Sequence, residues 1–214
     1  MSVLVAIPLN WPFVPTPFVN SLLNMIPDFP AGTEVKIISG SNIASIRNNI
    51  AKYFLESDHL KVLQLDADMV YPKDTLSVLD SYDVDMVQVL VPFRGNPWMC
   101  VVFEAADPKN DLDYNHKLRA ISCREGIVET HSIGAGGVLT KRCVFEAMDP
   151  PYYHYDSVKH AEDVFFSVNA RRLGFKCFVS MDVVCSHLTS AGITAEPPQS
   201  LADNWEIAVQ YEGW

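Results

Sequence analysis

The sequence predicts an α/β fold built on one mainly parallel sheet, within a single domain. Three observations lead there. Through residues 2–91, apolar runs of strand length alternate with stretches of helical periodicity. At 214 residues the chain is long enough to bury most of its unfolded surface without a disulfide or metal staple. Its 49% hydrophobic and 20% charged residues match a globular composition and exclude a disordered one.

Residues 2–8 are an apolar run of strand length, and residues 17–26 follow as a short helix opened by Pro17. Residues 34–39 are the second strand. Ser41 stands where it can cap a helix in which Ile43, Ile46, Ile50 and Tyr53 or Phe54 recur at helical spacing. The third strand, 61–65, runs directly into Asp66-Ala67-Asp68. Residues 74–79 read as a helix and 84–91 as a fourth apolar strand. Strand–helix–strand units of this length imply right-handed crossovers and a parallel sheet. Ligands of such sheets bind outside the carboxyl ends of the strands, so Asp66 and Asp68 are expected at a site edge.

The second half reads differently. Residues 98–104 and 126–133 are strand-like, and the polar segment 107–115 between them is expected to be a mobile loop. Gly134-Ala135-Gly136-Gly137 is followed by an apolar segment and a short helix over 142–148. A Pro- and Tyr-rich stretch, 149–156, precedes a helix over 161–173 that Gly174 ends. Residues 176–185 form the last strand, stopping just short of His187. The tail has too few cues to place, and neither repeats nor a linker divide the chain.

Twenty-six acidic against 16 basic side chains give a formal charge of −10, which disfavours a protein held to nucleic acid mainly by phosphate contacts. Lys141-Arg142 and Arg171-Arg172 are the candidates for a local basic groove. The five cysteines (Cys100, Cys123, Cys143, Cys177, Cys185) are odd in number and form no C-x-x-C pair. Each lies in or beside an apolar segment, which predicts buried free thiols in a reducing interior and no zinc site. The longest apolar run, residues 3–9, includes Pro8 and is too short to cross a bilayer. No secretory signal is recognisable, and a soluble, cytoplasmic protein is expected.

Aspartates at i and i+2 on an extended chain point the same way and can both reach one divalent cation. Oxygen ligands of this kind suit Mg²⁺ or Mn²⁺ shared with a diphosphate. Sixteen aspartates in 214 positions predict about one Asp-x-Asp by chance, and the sequence has three. Asp83/Asp85 and Asp111/Asp113 lie in polar turns and read as solvated charges. Only Asp66/Asp68 follow an apolar strand, which makes them the metal candidates. Glu162-Asp163 opens a helix, where acids are favoured by the dipole alone and where ionisation is expected to stay easy. His187, Arg47 and Asn48 are ordinary residues taken singly. Gly136-Gly137 is either a bend or a point of close backbone approach. Trp98 and Tyr152 to Tyr155 are either core or a sugar-stacking wall.

Taken in order, a strand ending in Pro8, Arg47-Asn48 in a following helix, Leu65-Asp66-Ala67-Asp68, Gly134 to Gly137, Glu162-Asp163 and His187 form a set. Over residues 3–190 this set resembles the GT-A glycosyltransferases, in particular compact family 2-like members, a type often encoded by bacteriophages. The resemblance implies a Rossmann-like nucleotide-binding half with a mainly parallel sheet (residues 1–95), fused to a smaller acceptor and catalytic half (96–190) and a tail (191–214). It implies a nucleotide-sugar donor, first of all a UDP-sugar, held near Pro8, Arg47, Asn48 and Asp66. It also implies Mn²⁺ or Mg²⁺ at Asp68, with help from Asp66 and His187. Asp163 matches the catalytic base of inverting members, with Glu162 beside it for the acceptor, and Trp98, Gly136 and Gly137 fall on the acceptor side. Two features depart from the pattern: Leu9-Asn10-Trp11-Pro12 replaces a short polar turn, and Ser39-Gly40 stands where an acidic residue is common.

The implied reaction moves a hexosyl unit by direct displacement to an acceptor hydroxyl on a glycan, a small glycoside, a protein or a modified DNA base. A sugar-phosphate nucleotidylyltransferase shares the sheet but wants a glycine- and basic-rich loop after the first strand, and residues 9–17 contain neither type. A non-catalytic carbohydrate- or nucleotide-binding module has no need to retain Asp66, Asp68, Asp163 and His187 together.

Overall fold

The computed structural model describes residues 2–93, 100–118, 125–155, 161–188 and 194–195. In chain order its first elements are β1 (Val3–Leu9), α1 (Thr16–Met25), β2 (Glu34–Ser39), α2 (Ile43–Glu56), β3 (Lys61–Gln64), β4 (Met69–Val70), α3 (Thr75–Ser81) and β5 (Met86–Leu90). Then come β6 (Phe103–Ala105), β7 (His116–Leu118), β8 (Ile127–Thr130), β9 (Val138–Lys141), α4 (Arg142–Ala147), α5 (Glu162–Arg172), β10 (Cys177–Val184), β11 (Ser186–Leu188) and β12 (Thr194–Ala195).

Seven strands form the main sheet in the order β2-β1-β3-β9-β5-β10-β8. Five run one way, while β8 and β9 run against them. The central strands are buried on both faces, as an α/β sheet covered on both sides requires. Leu4 and Ala6 of β1 pack with Ile46, Ile50 and Phe54 of α2, Phe145 of α4 and Phe166 of α5. Val3, Val5 and Ile7 face the other way, against Phe18 and Met25 of α1 and the Leu76–Leu79 pair of α3. The period-2 alternation of β1 thus divides the core into two layers.

The apolar segment after the glycines is a strand, β9, inserted antiparallel between β3 and β5. Gly137 makes the splice: its N–H donates to the Gln64 carbonyl at 2.8 Å and its carbonyl accepts from Val89 N–H at 2.9 Å. Its φ of 69° is the left-handed conformation that favours glycine, and an added Cβ would stand 2.5 Å from Val89 Cγ2. The cap of α2 is Asn42, one residue later than Ser41: its side chain accepts from Ser45 N–H at 3.2 Å.

Two other expectations change. The four basic residues offered as a groove are engaged within the protein. Arg142 donates to the carbonyls of Phe54, Leu55, Ser57 and His59, closing the carboxyl end of α2, and Lys141 pairs with Asp83 at 2.8 Å. Arg171 and Arg172 hold the segment between β6 and β7. Arg172 donates to the Leu112 carbonyl at 3.0 and 3.1 Å and lies 4.7 Å from the Tyr114 ring centre, while Arg171 pairs with Asp111. These contacts join the 107–115 segment to α5. Of the cysteines, Cys100, Cys177 and Cys185 are buried free thiols, but Cys143 is exposed on α4, and Cys123 lies outside the described residues. No helix among the described residues is long and apolar enough to cross a membrane.

Candidate functional site

Pro8 closes the buried part of β1, Gln64 ends β3, and the chain turns over Ala67-Asp68 before β4. Because residues 67–68 are a turn and not extended chain, the two aspartates take different partners. Asp66 turns inward and accepts from Arg47 Nη2 at 2.8 Å. Asp68 turns toward His187, whose Nε2 is 3.6 Å from its Oδ2. Extended chain is expected from the sequence over Asp66-Ala67-Asp68, and a turn is found there, with both aspartates still lining one cleft.

His187 arrives through a short ladder that sequence periodicity is too brief to reveal. β11 pairs antiparallel with β4, with His187 opposite Met69, and Leu188 N–H donates to the Asp68 carbonyl at 2.8 Å. The imidazole Nδ1 lies 3.0 Å from the Pro92 carbonyl. A carbonyl only accepts, so Nδ1 carries the proton and Nε2 is the ring nitrogen that faces Asp68. A carboxylate oxygen beside such a nitrogen is a donor pair suited to a divalent cation, held in orientation by its outer hydrogen bond. Among the described residues, no three His, Cys, Asp or Glu side chains surround one point. Mg²⁺ and Mn²⁺ often need only one or two protein ligands, with phosphate and water completing the shell. The residues present fit such an ion.

Arg47 sits behind this edge, 3% exposed. Besides Asp66 it donates to Glu162 Oε1 from Nε at 3.2 Å, and to Gln64 Oε1 and the Ala135 carbonyl from Nη1, each at 3.3 Å. The neighbouring carboxylates hold the guanidinium charge firmly, against the penalty of burial. Burial pushes the Asp66 carboxyl up, with Arg47 opposing.

Glu162 and Asp163 open α5, and they diverge. Glu162 is 7% exposed and faces Arg47. Asp163 is partly exposed and looks toward the glycine turn, its Oδ2 3.7 Å from where a Cβ on Gly134 would stand. The helix dipole does not keep this carboxyl acidic. Burial first, then the charge of Glu162, push Asp163 up to about 6. Gly136 lets the turn approach Asp66: a Cβ there would lie 2.8 Å from Asp66 Oδ2 and 2.7 Å from Met69 Cε. Tyr155, 43% exposed, lies beside Glu162 and Asp163; burial and then Glu162 raise its phenol pKa.

In front of these residues is a cleft of about 290 Å³, bounded by Pro8, Asn10, Trp11, Phe13, Ile43, Arg47, Asp66 and Asp68. Its lining joins exposed aromatic side chains, Trp11 at 53% and Phe13 at 77%, to the carboxylates of Asp66 and Asp68. Trp11 and Phe13 escaped the sequence reading, although large aromatics between prolines just beyond a strand end are a legible sign of an exposed wall.

Of the expected residues, the structure brings Arg47, Asp66, Gly136 and Glu162 into one cluster, sets Asp163 beside it, and sets Pro8 and Asp68 on the cleft. Asn48 stands apart. Its amide donates to the Tyr153 carbonyl at 2.7 Å and accepts from Tyr152 and Tyr153 N–H at 2.8 and 3.2 Å, fastening that segment to α2. Tyr152 and Tyr153 are buried, the latter stacked on Phe166 at 4.7 Å, so these two are core. Trp98 lies outside the described residues.

No protein-family model and no curated protein matches the sequence. In three dimensions the chain is similar to A197 from STIV, with 18% identity over 92% of this chain and 91% of that one and a TM-score of 0.66. It is also similar to residues 1–349 of TarS from S. aureus, at 16% identity over 86% of this chain and 60% of that one, with a TM-score of 0.50. A third likeness, to UDP-glucose pyrophosphorylase complexed with UDP-glucose, has 11% identity over 84% of this chain and 90% of that one, and a TM-score of 0.48. Together with the mainly parallel, helix-covered sheet, the first two likenesses give the architecture: the chain has a GT-A-like α/β fold.

Proposed function

We propose that this protein is a metal-dependent glycosyltransferase, a compact family 2-like member, that moves a hexosyl unit from a nucleotide sugar to an acceptor hydroxyl with inversion. The observation that carries the reading is the mixed lining of the cleft, aromatic and acidic together. Exposed aromatic rings and two carboxylates lining one cleft, with the His187 imidazole next to Asp68, suit a nucleoside whose diphosphate is bound through a cation. In this reading Trp11 and Phe13 flank the base, Pro8 and Ile43 line the floor, and residues 1–95 and 96–190 serve as donor and acceptor halves.

Asp68 and His187 would hold Mn²⁺ or Mg²⁺, with Asp66, paired to Arg47, as the third candidate from the same turn. Such an ion supplies charge neutralisation for the departing diphosphate. The rest falls to the chain. Asp163 accepts the acceptor hydroxyl proton as the new carbon–oxygen bond forms and the bond to the diphosphate breaks. A carboxyl raised to about 6 is better matched to that task at neutral pH than an ordinary aspartate. Its neighbour Glu162 faces the other way, toward Arg47.

A panel of nucleotide sugars incubated with Mn²⁺, scored for release of nucleoside diphosphate, tests the reading. Metal-dependent release from at least one donor is expected. No release from any donor, together with no metal-dependent binding of nucleoside diphosphates, would overturn it.

A further inference from the structure

Arg47 touches four separate pieces of the site through one side chain. Gln64 ends β3, Asp66 begins the turn toward the metal candidates, Ala135 belongs to the glycine turn, and Glu162 opens the helix that bears Asp163. All three guanidinium nitrogens donate to the protein, and the side chain is 4% exposed. A planar fork with fixed donor directions can hold four acceptors in one arrangement, whereas an ammonium on a flexible stem cannot. A hydrogen-bonded cation between two carboxylates is also hard to displace, because moving it leaves buried charge uncompensated.

Resting on the proposed reaction, we propose that Arg47 is a positioning residue: it locks the donor-side Asp66 to the base-bearing helix through Glu162, and Glu162 is its countercharge and not an acceptor contact. The resemblance assigned Arg47 to the donor and Glu162 to the acceptor. The geometry gives both a different task. Neighbouring helical residues diverge by about 100°, so a Glu162 anchored to Arg47 sets the direction in which Asp163 points. Misplacement of a reacting group by about 1 Å is enough to lose about a hundredfold in rate.

The test uses Arg47→Lys, Glu162→Gln and the double variant. Hydrolysis of the donor found in the nucleotide-sugar panel, with water as acceptor, is measured beside the affinity for UDP with Mn²⁺ by calorimetry. Each single variant should lower turnover about tenfold or more while UDP affinity stays within about threefold, and the double variant should be no worse than the poorer single one. A merely acceptor-binding Glu162 would leave donor hydrolysis intact, and a donor-binding Arg47 would lose UDP affinity about tenfold or more. Either result overturns the proposal, as do losses that multiply in the double variant. Glu162→Gln keeps an acceptor for Arg47 without the charge, so it serves if Arg47→Lys does not fold. Hydrogen exchange reads the lock without any donor: residues 66–68, 134–137 and 162–166 should all exchange faster in either single variant. Faster exchange confined to the mutated element overturns the lock even if the wild type proves to be no glycosyltransferase. Absence of donor turnover with the coupled exchange intact overturns the function alone.

Discussion

Replacing Asp163 with asparagine should make the protein more stable and nearly inactive at once. Burial and Glu162 raise this carboxyl from 3.8 to about 6 in the folded protein. At about 1.4 kcal/mol per pH unit, holding it ionised at neutral pH costs about 3 kcal/mol of stability. Partial exposure screens some of this, leaving about 1–2 kcal/mol to be regained by a neutral side chain of the same shape. The Val164 N–H that donates to Oδ1 at 2.8 Å keeps its acceptor in asparagine. For a chain of this size the gain corresponds to a Tm about 2–8 °C higher at pH 8. The sign follows from linkage. Because the folded pKa is raised, the wild type loses stability as pH climbs from about 4 to about 6, and the asparagine variant does not. The difference in Tm should therefore vanish toward pH 4 and level off above about 6. Turnover should fall by about a hundredfold or more, with UDP affinity preserved, and wild-type kcat should decline as pH drops through about 6. Thermal scans across this pH range, paired with turnover, check both halves. A variant less stable at pH 8, or a Tm difference that ignores pH, would refute the burial reasoning; full turnover would refute the base.

Three further substitutions address other parts of the cleft. Asp68→Ala should weaken Mn²⁺-dependent UDP binding about tenfold or more in calorimetry, since it removes the anionic member of the pair with His187; unchanged metal-dependent affinity would end that assignment. Trp11→Ala should reduce UDP affinity by about 1–3 kcal/mol in the same titration while leaving the thermal midpoint nearly unmoved, because the indole is already 53% exposed and contributes stacking, not core. Gly137→Ala should destabilise by about 2 kcal/mol or more in urea unfolding, combining a φ of 69° with a Cβ 2.5 Å from Val89 Cγ2; a neutral result would show that the splice between β3 and β5 relaxes easily.

The order of strands and helices in the first half was legible because each element carries its own periodic signal. β2 begins and ends where the apolar alternation does, and α2 follows the spacing of Ile46, Ile50 and Phe54 on one face. Asp66 at the carboxyl end of a buried strand follows from the crossover rule alone, and α5 ends at Gly174 as its left-handed φ of 94° requires. Motif order carried the family resemblance, though it left the roles of individual side chains open.

What the chain's local pattern determined, then, is the class of fold and the edge on which a site must lie. Tertiary structure decided the rest. β9 is a short apolar run in sequence, and only the vacant ladder between β3 and β5 makes it an antiparallel strand. The two- and three-residue strands β4 and β11 are too brief for any period, yet their pairing brings His187 to Asp68. Arg47 reads as a helix-surface residue until Gln64, Asp66, Ala135 and Glu162 converge on it. The pKa of Asp163 likewise turns on burial and a second carboxylate, which outweigh the helix dipole that the sequence displays. Hydrophobic periodicity is a property of neighbours along the chain, so sequence reports it directly. Charge partners, strand insertion and desolvation depend on groups far apart in the chain, and they acquire values only when the fold brings those groups together.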